Sequence, residues 1–203
     1  MKLPNYFGPE VILKMRQHVE KIFRESIKVK EETLKANIDK IILAAEEIVK
    51  TLKNKGKILL FGNGGSAADS QHIAAEFIGR FQKERRALSA IALTTDTSVL
   101  TALGNDYGFD IIFARQIEGL GQQGDIAFGI STSGNSKNVW EGIQQAKKMG
   151  LKTISLTGCG GGALAKLSDV SIIVPSSTTA RIQESHICIA HAICELVENQ
   201  FTK

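Results

Sequence analysis

From residue 9 to residue 54 apolar side chains return every three or four positions. They come first as Val11, Ile12, Met15, Val19, Ile22 and Phe23, then as Ile38, Ile41, Ile42, Ala45, Val49 and Leu52, with charged residues between them. That period is the stripe of an amphipathic helix, and the interval between the two sets predicts two such helices. Neither carries a motif. Two helices of this kind need a surface to cover, either a sheet of the same chain or a neighbouring subunit.

Beyond Gly56 the pattern changes to short apolar runs: Ile58 to Phe61, Leu88 to Leu93, Asp125 to Ile130, Thr153 to Leu156 and Val170 to Val174. Helical patterns fill the gaps at 66–80, 97–120 (broken near Gly104), 136–149, 161–167 and 180–201. Strands alternating with helices predict an α/β fold, a three-layer, doubly wound sheet of five parallel strands covered on both faces. Residues 1–55 then form a helical extension that packs in an oligomer, and 56–203 the ligand-binding domain, the whole being one structural unit. No repeat or low-complexity linker interrupts it.

Composition narrows the classes. With 203 residues, 43% hydrophobic and 23% charged, the chain is that of an ordinary globular domain. A net charge of +4 would suit an anionic partner, but no basic stripe is interleaved with aromatics, so nucleic acid is not expected. Cys159, Cys188 and Cys194 have no paired spacing, which points to a reducing cytoplasm. The opening MKLPNYFGPE has no apolar leader, and no apolar run approaches the ~18 residues a membrane span needs.

Three strand-to-helix loops are built of small residues: Gly62-Asn-Gly-Gly-Ser66, Ser131-Thr-Ser-Gly-Asn-Ser136 and Thr157-Gly-Cys-Gly-Gly-Gly162. Ligands of doubly wound sheets bind at such strand ends. Hydroxyls and free amides at a helix start suit an anion, so 131–136 is expected to cradle phosphate without a charged side chain. One helix cap would need only one of those hydroxyls. Gly-Lys-Ser/Thr of a nucleotide-hydrolysing loop is absent. Gly62-x-Gly64-x-x-Ala67 loosely fits a dinucleotide loop, but that pattern needs an acid about 20 residues on, and Asp96 comes too late.

His72 and Glu76, four apart, share one helix face just past the glycine loop. His191 stands in the apolar closing segment between Ile189-Ala190 and Ala192-Ile193, where a hydrogen-bonded core histidine is the usual occupant. Together with Gln183 these groups could ligate a divalent metal such as zinc. Geometry raises a difficulty: positions 183 and 191 on an unbroken helix differ by about 12 Å of rise and about 80° of rotation. Either the helix starts irregularly near Gln183, or the two residues reach a given site from different subunits.

Gly62-Asn-Gly-Gly-Ser66, Asp69-x-x-His72-x-x-x-Glu76-x-x-Gly-Arg80, Gly104-Asn-Asp-x-Gly108, Ile130-Ser-Thr-Ser-Gly-Asn-Ser136 and Arg181-Ile-Gln-Glu184 with His191 follow one another in order. Over nearly its whole length the chain resembles the sugar isomerase (SIS) fold, and within it the phosphoheptose isomerases. The resemblance implies conversion of sedoheptulose 7-phosphate to D-glycero-D-manno-heptose 7-phosphate through an enediol, the first step toward nucleotide-activated heptose for lipopolysaccharide and related glycans. It implies Glu76 and His191 as the acid/base pair and His72, Glu76, Gln183 and His191 as zinc ligands. Phosphate falls to Ser131, Thr132, Ser133 and Ser136. The sugar falls to Asn63, Gly64, Gly65, Ser66, Asn105, Asp106 and Gln183, with Arg80 and Asp96 as neighbours. It further implies a cytoplasmic homotetramer with sites at subunit contacts. Two departures, Ala75 in place of a second acid and the glycine-rich 159–162, leave that chemistry untouched. The alternatives are a non-catalytic protein of the same fold and an isomerase of another sugar phosphate.

Overall fold

The computed structural model describes residues 7–202. The first six residues, on which part of the reading of the N-terminus rests, lie outside them. A five-stranded, wholly parallel sheet forms the middle layer, in the order β2-β1-β3-β4-β5. Its strands are β1 (Ile58–Gly62), β2 (Ala90–Ala92), β3 (Ile126–Ser131), β4 (Lys152–Thr157) and β5 (Val170–Ile173). The helices are α1 (Pro9–Lys53), α2 (Gly65–Ile78), α3 (Thr97–Tyr107), α4 (Ile112–Leu120), α5 (Lys137–Lys148), α6 (Gly162–Leu167) and α7 (Thr179–Glu198). The alternation in the sequence thus predicts the architecture correctly.

Every residue of β1 and β3 is buried, which is why these strands read as unbroken apolar runs rather than alternating ones. Alternate residues of β1 face opposite layers. Ile58 and Leu60 join α1, α2 and α7, while Leu59 and Phe61 join α4, α5 and α6. Side chains such as Phe61, Phe77 and Phe113, each 1% exposed or less, contribute about 1.5–3 kcal/mol apiece by leaving water.

The expected pair of N-terminal helices is a single helix of 45 residues. No Gly or Pro falls between Pro9 and Gly56 to stop it. The apparent gap arises because the buried face there is polar: Ser26, Thr33 and Asn37 are buried where a purely apolar stripe was sought. Asn37 explains its own burial. Its Nδ2 donates to the carbonyl of Ile173 at 2.9 Å, and its Oδ1 accepts that residue's N–H at 3.1 Å. The side chain thereby satisfies the outward N–H and carbonyl of Ile173 at the end of edge strand β5. Near the start of α7, Arg181 donates to the carbonyl of Ile22 at 2.8 Å and fastens the middle of α1.

The opposite face of α1 is apolar and exposed. Val11, Met15, Val19, Phe23, Ile27, Leu34, Ile38 and Ile42 repeat mostly at intervals of four, each with at least 44% of its surface accessible. The expected break near Gly104 occurs instead at Gly108, whose φ of +90° ends α3. A glycine tolerates that left-handed backbone, whereas Gly104 stays helical. Among the described residues no helix is long and apolar enough to cross a membrane.

Candidate active site

With strand order β2-β1-β3-β4-β5, the chain leaves β1 toward one edge and β3 toward the other, so the loops after these two strands border a crevice at the sheet's switch point. The loop after β3 is the hydroxyl-rich turn. Ser131 Oγ lies 2.9 Å from Ser136 Oγ and 3.4 Å from Ser133 Oγ, and Ser133 Oγ accepts the N–H of Asn135 at 3.1 Å. Ser136 occupies the N-cap of α5 but makes no side-chain cap, so the helix's first amides keep their donors for another acceptor. Gly134 turns the loop with a φ of +67° and packs directly on Gly161. Asn135 Oδ1 accepts the N–H of Ala163 at 3.0 Å, and Leu164 N–H donates to the carbonyl of Gly134 at 2.9 Å. The glycine-rich 159–162 segment is therefore the floor on which the turn rests. Thr132 receives the N–H of Gly158 on its carbonyl at 3.0 Å.

The loop after β1 enters α2 through Gly64, whose φ is +54°. Asn63 in this loop is bound side chain to side chain with Asn138 of α5. Ser66 is buried, and its N–H donates to the carbonyl of Asn63 at 3.0 Å. Gly65 has no room for a side chain, because a Cβ there would collide with the amide of Gln183 from α7.

About two turns further along α2, His72 Nε2 donates to Glu76 Oε1 at 3.0 Å. His191 of the same chain reaches this pair, its Nε2 3.5 Å from that of His72 and the two rings edge to face at 5.0 Å. One ligand atom each from His72, Glu76 and His191 lie within 4.8 Å of one another, a donor set of two imidazoles and a carboxylate suited to a divalent metal. The contacts Gly65 to Gln183 and His72 to His191 show α2 and α7 running side by side in the same direction. Helix α7 is continuous from Thr179, so the expected irregular start near Gln183 does not occur. The structure brings three of the four expected ligands together within one chain and sets Gln183 against the glycine loop.

Asn105 and Asp106 lie exposed in the last turn of α3, where Asn105 Nδ2 donates to Asp106 Oδ1 at 2.8 Å. Asp96 caps the start of that helix by accepting the N–H of Val99, and Arg80 pairs with Glu84 on the surface. His18 is solvent-exposed on α1.

Three residues near the cluster have no assigned role from the sequence. Asp69, one turn ahead of His72, is half-buried with its Oδ2 enclosed. Burial pushes its carboxyl up, and His72 works against that rise. Phe81 lays its ring 5.4 Å from that of His191. His186 is fully buried and donates from Nε2 to the carbonyl of Thr157 at 3.1 Å, and burial takes it down to about 4, so it is the neutral core histidine of the closing helix. Asp69 falls inside a quoted motif, whereas nothing local to Phe81 marks it. Burial also pushes the Cys194 thiol up to about 12, with Glu76 adding to the rise, so this cysteine is protonated and inert.

A doubly wound sheet with an anion-suited turn at its switch point, flanked by a helix pair α2 and α7 that carries a convergent His-Glu-His group, is the layout of an α/β domain that handles small anionic ligands. Residues 22–158 match the SIS domain model. A phosphoheptose isomerase of Aquifex aeolicus is 57% identical over 184 residues, spanning 91% of this chain and 96% of its own. Solved phosphoheptose isomerases from Neisseria gonorrhoeae and Francisella tularensis superpose with TM-scores of 0.87 and 0.88 at 48% and 40% identity. Each alignment covers 91% of this chain, and 99% and 98% of theirs. The chain therefore belongs to the SIS domain family and, within it, to the phosphoheptose isomerases.

Proposed function

We propose that this phosphoheptose isomerase converts sedoheptulose 7-phosphate to D-glycero-D-manno-heptose 7-phosphate through an enediol, supplying heptose for a surface glycan such as lipopolysaccharide. The observation that carries the mechanism is the meeting of Glu76 of α2 and His191 of α7 within one group of side chains. Aldose–ketose exchange needs a base at the carbon pair and a second group to serve the oxygens. Glu76 takes the proton from C1 and returns it at C2, while His191 moves protons between the two oxygens.

The phosphate rests on Ser131, Thr132, Ser133, Ser136 and the first amides of α5, which fixes the far end of the sugar and contributes binding energy remote from the reacting carbons. Asn63, Gly64, Gly65, Ser66, Asn105, Asp106 and Gln183 contact the carbon chain. His72, Glu76 and His191 would hold a zinc ion, with Gln183 the fourth candidate. When bound, such an ion would supply Lewis-acid chemistry at the substrate's oxygens. The apolar stripe on α1 is the contact through which residues 1–55 join a tetramer around the 56–203 domain, in the cytoplasm.

Incubating the purified protein with sedoheptulose 7-phosphate should yield the aldose. Glu76→Gln should lower kcat by about 10²–10⁴ with KM little changed. A Glu76→Gln protein that keeps most of its kcat removes this residue from the role.

A further inference from the structure

Behind the cluster lies a buried ion pair that the chemistry above leaves unused. The side chains of Arg85 and Glu198 are only 1% and 2% exposed, with Arg85 Nε 3.4 Å from Glu198 Oε1. Such a pair is weak grounds for stability, since desolvation offsets the attraction. What this one does is organise backbone. Arg85 Nη2 donates to the carbonyl of Glu76 at 2.7 Å, and Nη1 donates to those of Phe77 and Gly79 at 2.9 Å each. The first two are carbonyls of the last turn of α2 and the third is that of its C-cap; none has a helical partner, and a cation there also complements the helix dipole.

Glu198 works from the other side. Its carboxylate accepts the N–H groups of Phe81, Gln82 and Lys83 at 2.8, 2.8 and 2.9 Å. Burial alone would raise its pKa, but those three amides and Arg85 outweigh that and hold it below the usual carboxylate value. The strap of residues 79–87 is thereby pinned between the end of α2 and the end of α7. It carries Phe81, whose ring lies against His191 at 5.4 Å with the planes tilted by 41°. One end of the pair therefore grips the backbone of Glu76, and the other fixes a wall of His191.

We propose that Arg85 and Glu198 are positioning residues for the isomerisation, locking the turn that bears Glu76 and the Phe81 wall that orients His191. Neither touches the reacting atoms. The proposal rests on Glu76 and His191 being the reacting groups, and the experiment keeps the two readings apart.

Kinetics with sedoheptulose 7-phosphate are compared for wild type, Glu76→Gln, Arg85→Lys, Glu198→Gln and Phe81→Leu, at a temperature where circular dichroism shows each protein folded. The strap variants are expected to lose about 10- to 100-fold in kcat while KM stays within about threefold, because the phosphate turn lies on other loops. Zinc affinity of the metal-free proteins, measured by calorimetry, should weaken by a similar factor. If Arg85→Lys and Glu198→Gln keep kcat within about twofold of wild type, the positioning role is overturned, even where Glu76→Gln is inactive. If Glu76→Gln stays active, it is the assignment of the base that fails, and the strap is judged by its own kcat. Should the charge variants fail to fold, Phe81→Leu decides, since it leaves the ion pair whole: a several-fold loss of kcat supports the strap and an unchanged kcat overturns it.

Discussion

Asn63 and Asn138 exchange two hydrogen bonds, each side-chain amide donating to the other's oxygen at 2.8 Å. One residue follows β1 and the other opens α5 after β3, so this pair ties together the two loops that border the switch point. The Asn63 side chain is engaged by this exchange, so the sugar contact proposed for its segment falls to backbone groups. Asn138 is buried, and among the described residues its side chain bonds only to Asn63. Replacing it by Ala removes both of these bonds from the Asn63 side chain, at a cost of about 1–3 kcal/mol, and frees one loop from the other. Asn138→Ala is expected to raise KM for the sugar phosphate more than it lowers kcat, which steady-state kinetics will show.

Gly134 offers a sharper test of the phosphate turn. A side chain there would run into the carbonyl of Gly161 and would have to adopt a φ of +67°. Gly134→Ala must therefore lift the turn off its glycine floor, at a cost of about 1–3 kcal/mol for the strained backbone alone. Binding of inorganic phosphate or of substrate, followed by calorimetry, should weaken about 10-fold or more. Unchanged affinity would place the anion elsewhere.

His186 makes stability depend on acid. Its pKa falls from 6.5 to about 4 on folding, so the unfolded chain binds a proton that the folded one refuses. The contribution is complete above pH 6.5, declines as pH falls toward 4 and levels off below it. A shift of that size corresponds to on the order of 3 kcal/mol. Chemical denaturation at pH 7 and pH 4.5 should show the loss. His186→Gln, which can still donate to Thr157 but does not titrate, should flatten the profile across that interval.

The exposed stripe on α1 predicts assembly. Phe23 and Leu34 are 65% and 56% exposed, so charging them removes nothing from the core of one chain. A contiguous apolar face of this length marks a protein contact. Phe23→Asp with Leu34→Asp should give a smaller species by light scattering, with secondary structure retained. A mass equal to that of the unaltered protein would place the contact on another face.

Much of this molecule is legible in the sequence because strands buried on both faces leave unbroken apolar runs and the loops between them are rich in glycine and hydroxyls. The parallel sheet and the helical layers on its two faces follow from that alternation, whereas the order β2-β1-β3-β4-β5 is known only from the structure. The long helix is misread where its buried face turns polar, since Asn37 is buried to serve Ile173, a partner 136 positions away that no local pattern shows. The break near Gly104 is misplaced for a related reason: composition flags two glycines, and only backbone geometry says which of them leaves the helix. His72 and Glu76 are legible as a pair because helical spacing brings them together. Their meeting with His191 depends on two helices running in parallel, which is a tertiary fact. Arg85, Glu198 and Phe81 leave no signature at all, because their work is done on backbone groups and ring faces.

The amide of Asn37 also shields one edge of the sheet from other chains. An outer strand normally presents bare backbone groups that invite another chain to add itself, the route to runaway fibrous growth. At Ile173 that invitation has been answered from within, by a side chain standing where a sixth strand would begin. A strand added on that flank would have to displace the Asn37 amide from Ile173 first.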